Sequence, residues 1–241
     1  MECYGLTDIG LVRDKNQDAY AILQSAYGDT LVLVCDGIGG ARAGEVASGE
    51  VISYFQETFP KAPEFQDIIM AREYIAHHVN QANRRVFKLS TQYEDYRGMG
   101  TTLTGLLFTK YGVLSINIGD SRVYGFIDEK SFRLTIDHTL VNEMLLNGQI
   151  TYEESLNHPK RHYLVRAVGI WDTVEADIHK VRDMDYYLVC SDGLHGYVSA
   201  EDITSIVFTE GLSVEKKAKK LLEEALLNGG YDNITLVLLE V

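Results

Sequence analysis

The chain has 241 residues, 46% of them hydrophobic, enough for one domain with a large core or for two small ones. Its net charge of −13 excludes general nucleic-acid binding, which needs a basic surface. No run of about 18 apolar residues occurs, so no membrane span is expected. The stretch Met1–Gly5 lacks the basic start and apolar core of a secretory signal, so a cytoplasmic protein is expected. Three cysteines cannot all pair, and Cys35 and Cys190 read as buried free thiols in a reducing compartment.

Taken in order, residues 2–8 read as a strand. The polar stretch Gly10–Asp18 follows, with Arg13 among several acids, before a second strand at Ala19–Leu23. Arg13 is either a surface charge or a bidentate fork for a phosphate. The apolar run Leu31–Cys35 ends abruptly in Asp36-Gly37-Ile38-Gly39-Gly40, a buried strand that delivers one carboxylate to its end beside glycines able to turn tightly. Gly44–Phe59 reads as a helix, with Ala47, Val51, Phe55 and Phe59 on one stripe and Pro60 and Pro63 stopping it. A longer helix runs from about Gln66 to Leu89, burying Ile68, Ile75, Val79, Ala82 and Val86. His77 and His78 on that helix lack a partner at ligand spacing and read as surface or packing residues.

Leu103–Phe108, the strand ending at Asp120, Val123–Ile127 and Phe132–Thr135 are separated by turn signals and predict a β-meander. A helix capped at Asp137-His138-Thr139 ends at Gly148. The stretch Gly148–Gly169 reads as irregular and holds the basic run His158–Arg166, either a mobile substrate-contacting loop or a basic surface turn. Pro159 argues against a helix that would align His158 and His162 as metal ligands. Val174–Val181 and Tyr186–Cys190 predict another hairpin. Helices start at Ser199 and Ser213, the last one ending at Gly229-Gly230. Its Lys216, Lys217, Lys219 and Lys220 read as a solvated face. No linker or repeat interrupts the chain, so a single domain over residues 1–241 is expected, of α+β class, with helices covering antiparallel sheet.

Four apolar strands carry an aspartate beside Gly or Ser at one end: Asp36, Asp120, Asp192 and Asp232. Two such charges ~4 Å apart repel by about 4 kcal/mol at an effective dielectric near 20, so convergence of these ends would demand cations. An all-oxygen set without His or Cys suits Mg²⁺ or Mn²⁺ rather than zinc. Other chemistries fail on spacing. Arg42 breaks a Gly-x-Gly-x-x-Gly reading, no Gly-Lys-Ser/Thr follows for a P-loop, and Ala41 stands where a Cys-x5-Arg phosphatase needs arginine. Ile38 stands where an aspartyl-phosphate mechanism needs a second aspartate, and no Gly-x-Ser-x-Gly elbow occurs. A carboxylate-held metal cluster facing an arginine survives; two metals that activate a bridging water for in-line attack describe phosphomonoester hydrolysis.

The ordered segments Gly10–Asp18, Val34–Ser48, Met99–Thr102, Gly119–Arg122, Asp137-His138, His158–Gly169, Cys190–Leu194 and Gly230–Thr235 resemble the metal-dependent type-2C (PPM) family of protein serine/threonine phosphatases, in its compact bacterial form. The resemblance covers nearly the whole chain. It implies an αββα sandwich of two antiparallel β-sheets flanked by helices, with a flap at about residues 139–169. It implies Asp36 bridging two metals (Mn²⁺ or Mg²⁺), the Gly37 carbonyl on one and Asp192 and Asp232 on the other, and Asp120 with Asp192 holding a weaker third. Arg13 would bind the substrate phosphate and Asp18 would orient metal-bound water. The implied partners are phosphorylated proteins and an opposing serine/threonine protein kinase, for a monomer with no membrane or nucleic-acid role.

Three positions depart from the family pattern. Gln17 replaces a glutamate found in some members, and Ile38 replaces a histidine proposed as general acid in eukaryotic ones, which leaves a metal-bound water as candidate proton donor. His195 and Gly196 follow the Asp192 motif where other residues are usual. The competing reading is a pseudophosphatase that recognises phosphoproteins without turnover, disfavoured because all four acids and Arg13 are present. A phosphatase dedicated to a single anti-sigma antagonist is disfavoured by the lack of a sensor domain.

Overall fold

The computed structural model describes residues 1–38 and 40–241; Gly39, part of the expected glycine turn, lies outside the described residues. Two antiparallel sheets pack face to face. The first runs β1 (Glu2–Asp8), β11 (Ile234–Glu240), β10 (Tyr186–Cys190), β7 (Arg122–Ile127), β8 (Lys130–Arg133). The second runs β2 (Asp18–Gln24), β3 (Thr30–Ile38), β5 (Leu103–Thr109), β6 (Gly112–Ile118), β9 (Asp177–Val181), with β4 (Gly100–Thr101) paired to the end of β3.

The period-2 alternation of the strands sorts their side chains into three cores. Val32, Val34, Leu106, Val123, Tyr187, Val189, Val237 and Leu239 fill the gap between the sheets. The other face of the second sheet (Leu31, Leu33, Cys35, Leu103, Leu107) packs on helices α1 (Gly40–Thr58) and α2 (Ile68–Gln92). The other face of the first sheet (Leu188, Cys190, Leu236, Leu238) packs on α6 (Ala200–Val207) and α7 (Val214–Leu227). Helix, sheet, sheet and helix are thus stacked as αββα layers, as the family resemblance implies. Strands covered on both faces must be apolar at nearly every position, which is why β3 and β11 carry so few polar residues between their ends.

The expected helices form with shifted ends. α1 begins at Gly40 rather than Gly44, and α2 spans Ile68–Gln92, with the Asp67 side chain accepting from the Met70 amide as its N-cap. Two pairings differ from the sequence reading. β6 and β7 do not continue a meander: the chain changes sheet at Gly119–Ser121, and β7 pairs with β10 and β8 instead. Likewise β9 and β10 are no hairpin, because β9 closes the second sheet beside β6 while β10 sits in the first. Alternating patterns report which face a residue takes but not which sheet a strand joins.

The expected irregular stretch Gly148–Gly169 contains α4 (Tyr152–Leu156), started by a reciprocal capping box between Thr151 and Glu154. It follows α3 (Leu140–Leu146), and a bridge between Thr139 and Leu164 closes the excursion at its base. Asn83 of α2, fully buried, ties down the return limb by accepting from the Gly169 amide (2.7 Å) and donating to the Trp171 carbonyl (2.9 Å). Lys217 is not solvated as expected; it is buried, with Nζ 3.1 Å from the Tyr186 hydroxyl and over that ring.

Close spacing in the second sheet depends on Gly105, which lies between Leu33 and Ile116, and where a Cβ would run into the Val32 carbonyl. Gly105→Ala is expected to lower the unfolding free energy by about 1–3 kcal/mol in urea titration. An unchanged midpoint would show that the strands can part without cost.

Candidate active site

Strand parity positions the first two carboxylates. In β3, Val32 and Val34 face the inter-sheet gap, so Asp36 is sent to the same side at its open end. In β2, Tyr20 and Ile22 pack against that gap, which puts Asp18 on the same side, level with Asp36 as its register partner. The other three arrive where the chain leaves a sheet. Asp120 lies on the crossing from β6 to β7, Asp192 opens the one-turn helix α5 (Asp192–His195) after β10, and Asp232 precedes β11. Asp36, Gly37, Asp120, Asp192, Asp232 and Arg13 all line one cleft of about 890 Å³. Asp18 stands behind its wall, so the expected set converges with Asp18 one layer deeper.

The backbone is held tightly there. Asp36 N–H donates to Thr102 Oγ1 (2.9 Å) and its carbonyl accepts from Thr102 N (2.8 Å). Rather than turning at Gly37, β3 runs on to Ile38 and pairs with β4. A Cβ at Gly37 would collide with the Gly44 and Gln17 backbones, so only glycine allows helix α1 to come this close. Asn233, which sequence reasoning did not single out, pins the Arg13 loop. Its amide donates to the carbonyls of Ile9 (3.0 Å) and Lys15 (2.9 Å) and its oxygen accepts from Gln17 N (2.9 Å). The only signal was its place beside Asp232.

The carboxylates keep a little surface toward the cleft, yet protein surrounds them closely. Desolvation first, and the other carboxylates second, push Asp36 well above the usual carboxylate range and raise Asp192. The same causes, with desolvation the larger, bring Asp18 to about 7 and Asp120 to about 8. Asp18 Oδ2 accepts from Ser191 Oγ (2.7 Å), whereas its buried Oδ1 has no partner. Arg13 Nη2 donates to Asp232 Oδ2 at 2.7 Å while half of its side chain remains exposed.

Of the basic run, His162 lines the cleft, while Arg166 turns away to Asp177 (2.7 Å). His158 and His162 lie on turns and form no helical ligand pair. His78 is a packing residue, bonded to the Tyr54 hydroxyl (2.7 Å) and stacked on Tyr74. Burial and nearby Arg122 push His195 down to about 3, so its ring is neutral.

Among the described residues no group of three or more His, Cys, Asp or Glu side chains stands in an arrangement that could hold a metal ion as it is. The donor set nonetheless fits hard divalent cations. It is all oxygen, it carries more negative charge than its surroundings neutralise, and Asp18 Oδ1 is a buried acceptor left without a donor.

The sequence and the fold are both similar to those of known phosphatases. The protein phosphatase 2C family profile matches residues 12–227. Protein phosphatase PhpP of Streptococcus pneumoniae is 35% identical over 243 aligned residues, covering 100% of this chain and 98% of that protein. The serine/threonine phosphatase stp of Listeria welshimeri is 33% identical, covering 97% and 93%. The crystal structure of serine/threonine phosphatase Stp1 from Staphylococcus aureus superposes with a TM-score of 0.93 at 33% identity, covering 100% and 94%. That of the Mycobacterium tuberculosis serine/threonine phosphatase PstP/Ppp gives 0.85 at 34% identity, covering 100% and 98%. The chain belongs to the protein phosphatase 2C family.

The raised carboxyls make a pH prediction for the metal-free protein. Unfolded, these aspartates return to 3.8, so across the interval up to about 7 for Asp18 and about 8 for Asp120 the folded state holds more protons. Their stabilisation is complete below 3.8 and is lost as pH rises through 7–8. The depressed histidines His78, His138 and His195 act in the opposite sense below their ordinary value of 6.5, so the test window lies above it. Melting of metal-free protein is expected at lower temperature at about pH 8.5 than at about pH 7, with saturating Mn²⁺ stabilising more at the higher pH. A melting temperature that climbs across this window would contradict it.

Proposed function

We propose that this protein phosphatase hydrolyses phosphoserine and phosphothreonine on proteins at the carboxylate cleft, opposing a serine/threonine protein kinase. Asp36, the Gly37 carbonyl, Asp192 and Asp232 would hold two Mn²⁺ or Mg²⁺ ions, with Asp120 and Asp192 holding a weaker third. When bound, such ions lower the pKa of water and polarise the phosphoryl group. The observation that carries the reading is the convergence of five aspartates and one arginine where strand parity and sheet crossings meet.

Each residue has a task its surroundings favour. Arg13 is the phosphate fork. Its ion pair with Asp232 is half-exposed, so exchanging that carboxylate for a phosphate costs about 1 kcal/mol or less. Asp18 Oδ1, buried just behind the cleft and lacking a donor, is the acceptor that would orient metal-bound water, while Ser191 fixes the other oxygen. Ile38 lines the cleft without a titratable group, so the leaving seryl or threonyl oxygen takes its proton from water. The proposal extends to a single catalytic domain over residues 1–241, with residues 139–169 as a flap beside the cleft. It also takes the protein as a cytoplasmic monomer; among the described residues, no helix is long and apolar enough to cross a membrane.

The test is release of phosphate from a phosphothreonine peptide by metal-stripped protein with and without Mn²⁺. Release is expected only with the metal and not from Asp36→Asn. Failure with every divalent metal, from folded protein, would leave phosphoprotein binding as the function. Arg13→Ala is expected to lower kcat/KM by about 10–100-fold, the worth of one charge-assisted contact, which steady-state kinetics would read. Ile38→His is expected to change the pH–rate profile without abolishing turnover; a folded, metal-loaded and inactive variant would count against solvent as the proton donor.

A further inference from the structure

Asp120 and Asp192 lie just beyond the end of the β7–β10 ladder, whose last pair is Arg122 and Cys190, so strand pairing brings them to the same rim, but past that pair no ladder bond fixes the separation of their carboxylates. Asp120 sits on the crossing between β6 and β7, whereas Asp192 opens α5 after β10. One side chain ties these elements together. His195, at the far end of the same four-residue helix as Asp192, places Nε2 3.0 Å from the Asp120 carbonyl oxygen. A carbonyl can only accept, so Nε2 carries the proton and donates. The helix is itself closed by Gly196 N–H donating to the Asp192 carbonyl (2.8 Å), so His195 and Asp192 move as one unit.

The residue preceding Asp120 is held from the other side. Gly119 N–H donates to His138 Nδ1 (3.1 Å), and the Gly119 carbonyl accepts from His138 N–H (2.9 Å). Gly119 adopts φ +106°, and a Cβ there would run into Thr102, so the turn has no slack toward β5. The backbone around Asp120 is therefore anchored by a histidine on each side, and the His195 anchor is the one that leads to Asp192.

We propose that His195 is a positioning residue that fixes the separation of Asp120 and Asp192, so that the site they share for a third divalent cation is formed before the cation arrives. The proposal rests on the assignment of Asp120 and Asp192 to that cation. Outer hydrogen bonds of this kind typically change metal affinity 10–100-fold when removed. His195 touches no substrate, and because its bond is to Asp120, which is assigned to the third ion alone, its loss falls chiefly on that weakest ion.

The experiment is Mn²⁺ titration of metal-stripped protein by calorimetry, with electron paramagnetic resonance counting free Mn²⁺, for the natural protein and for His195→Ala, His195→Gln and His195→Asn. Glutamine carries its amide donor at about the reach of imidazole Nε2, whereas asparagine stops at about the reach of Nδ1. The natural protein is expected to bind two ions tightly and a third weakly. His195→Ala and His195→Asn are expected to weaken only the third by about 10-fold or more, with His195→Gln restoring it. Metal-free melting temperatures of the variants establish that each is folded. Three ions bound by His195→Ala with natural affinity would overturn the positioning role and leave the Asp120 assignment standing. Equal weakening of all three ions, or no rescue by glutamine, would mark His195 as a support of the fold and also overturn the proposal. A natural protein that binds no third ion would overturn the Asp120 assignment together with it.

Discussion

Like charge held close together is the constraint on which the rest of the molecule turns. Five carboxylates meet at one end of a sandwich whose interior is otherwise apolar, and each pair at ~4 Å costs about 4 kcal/mol at an effective dielectric near 20. Without cations, burial first and this repulsion second make the chain hold protons, which is why Asp18 and Asp120 stand near 7 and 8 instead of 3.8. The arrangement survives because the surrounding backbone cannot relax. Thr102 brackets Asp36, Asn233 pins the Arg13 loop and Ser191 bridges the sheets to Asp18. The acids are costly where they stand, and a bound divalent ion would turn that cost into affinity.

The layers explain why the cost is bearable. Three cores, one between the sheets and one under each helical layer, bury the strands on both faces. With so much apolar surface removed from water, a few kcal/mol of repulsion at one rim leaves a stable fold. The same packing sets the precision of the site. β3 is uninterrupted from Thr30 to Ile38, so Asp36 and Gly37 extend from a strand that is locked along its length. Arg13 and His162 sit on loops at the mouth of the cleft and are correspondingly exposed.

Much of this was legible in the residues themselves. The unbroken apolar run Leu31–Cys35 and the nearly unbroken run Ile234–Leu239 mark strands buried on both faces, and an aspartate after the first is conspicuous because nothing local explains it. Helix stripes such as Ala47, Val51 and Phe55 identify the outer layers. What pattern could not reach is long-range choice. Whether β7 pairs with β6 or with β10 depends on which partner buries Val123 and Tyr124 better, and that sum is not written in any window of ten residues. Lys217 was misread for a related reason: its stem follows a helical face that another strand happens to cover, and only Tyr186 of that strand makes its burial tolerable.

One of the two connections that the pattern misplaces, β6 to β7, belongs to the site itself. A chain that crosses from one sheet to the other must leave its hydrogen-bond ladder, turn in little space and enter a new one, and residues at such points are freed from the alternation that governs strands. Asp120 lies on the crossing from β6 to β7, and Asp192 and Asp232 lie where the chain leaves and re-enters the first sheet. These positions can carry a charged side chain at the rim of the apolar gap without interrupting a core, which a mid-strand position cannot. Gly119, with its positive φ, and Asn233, with all of its amide bonds directed to loop backbone, are the local devices that make such crossings possible. A sequence that reads as a plain hairpin but places Gly-Asp between two apolar strands is therefore better read as a change of sheet. The residues that look least structural in that reading are the ones that hold the site open.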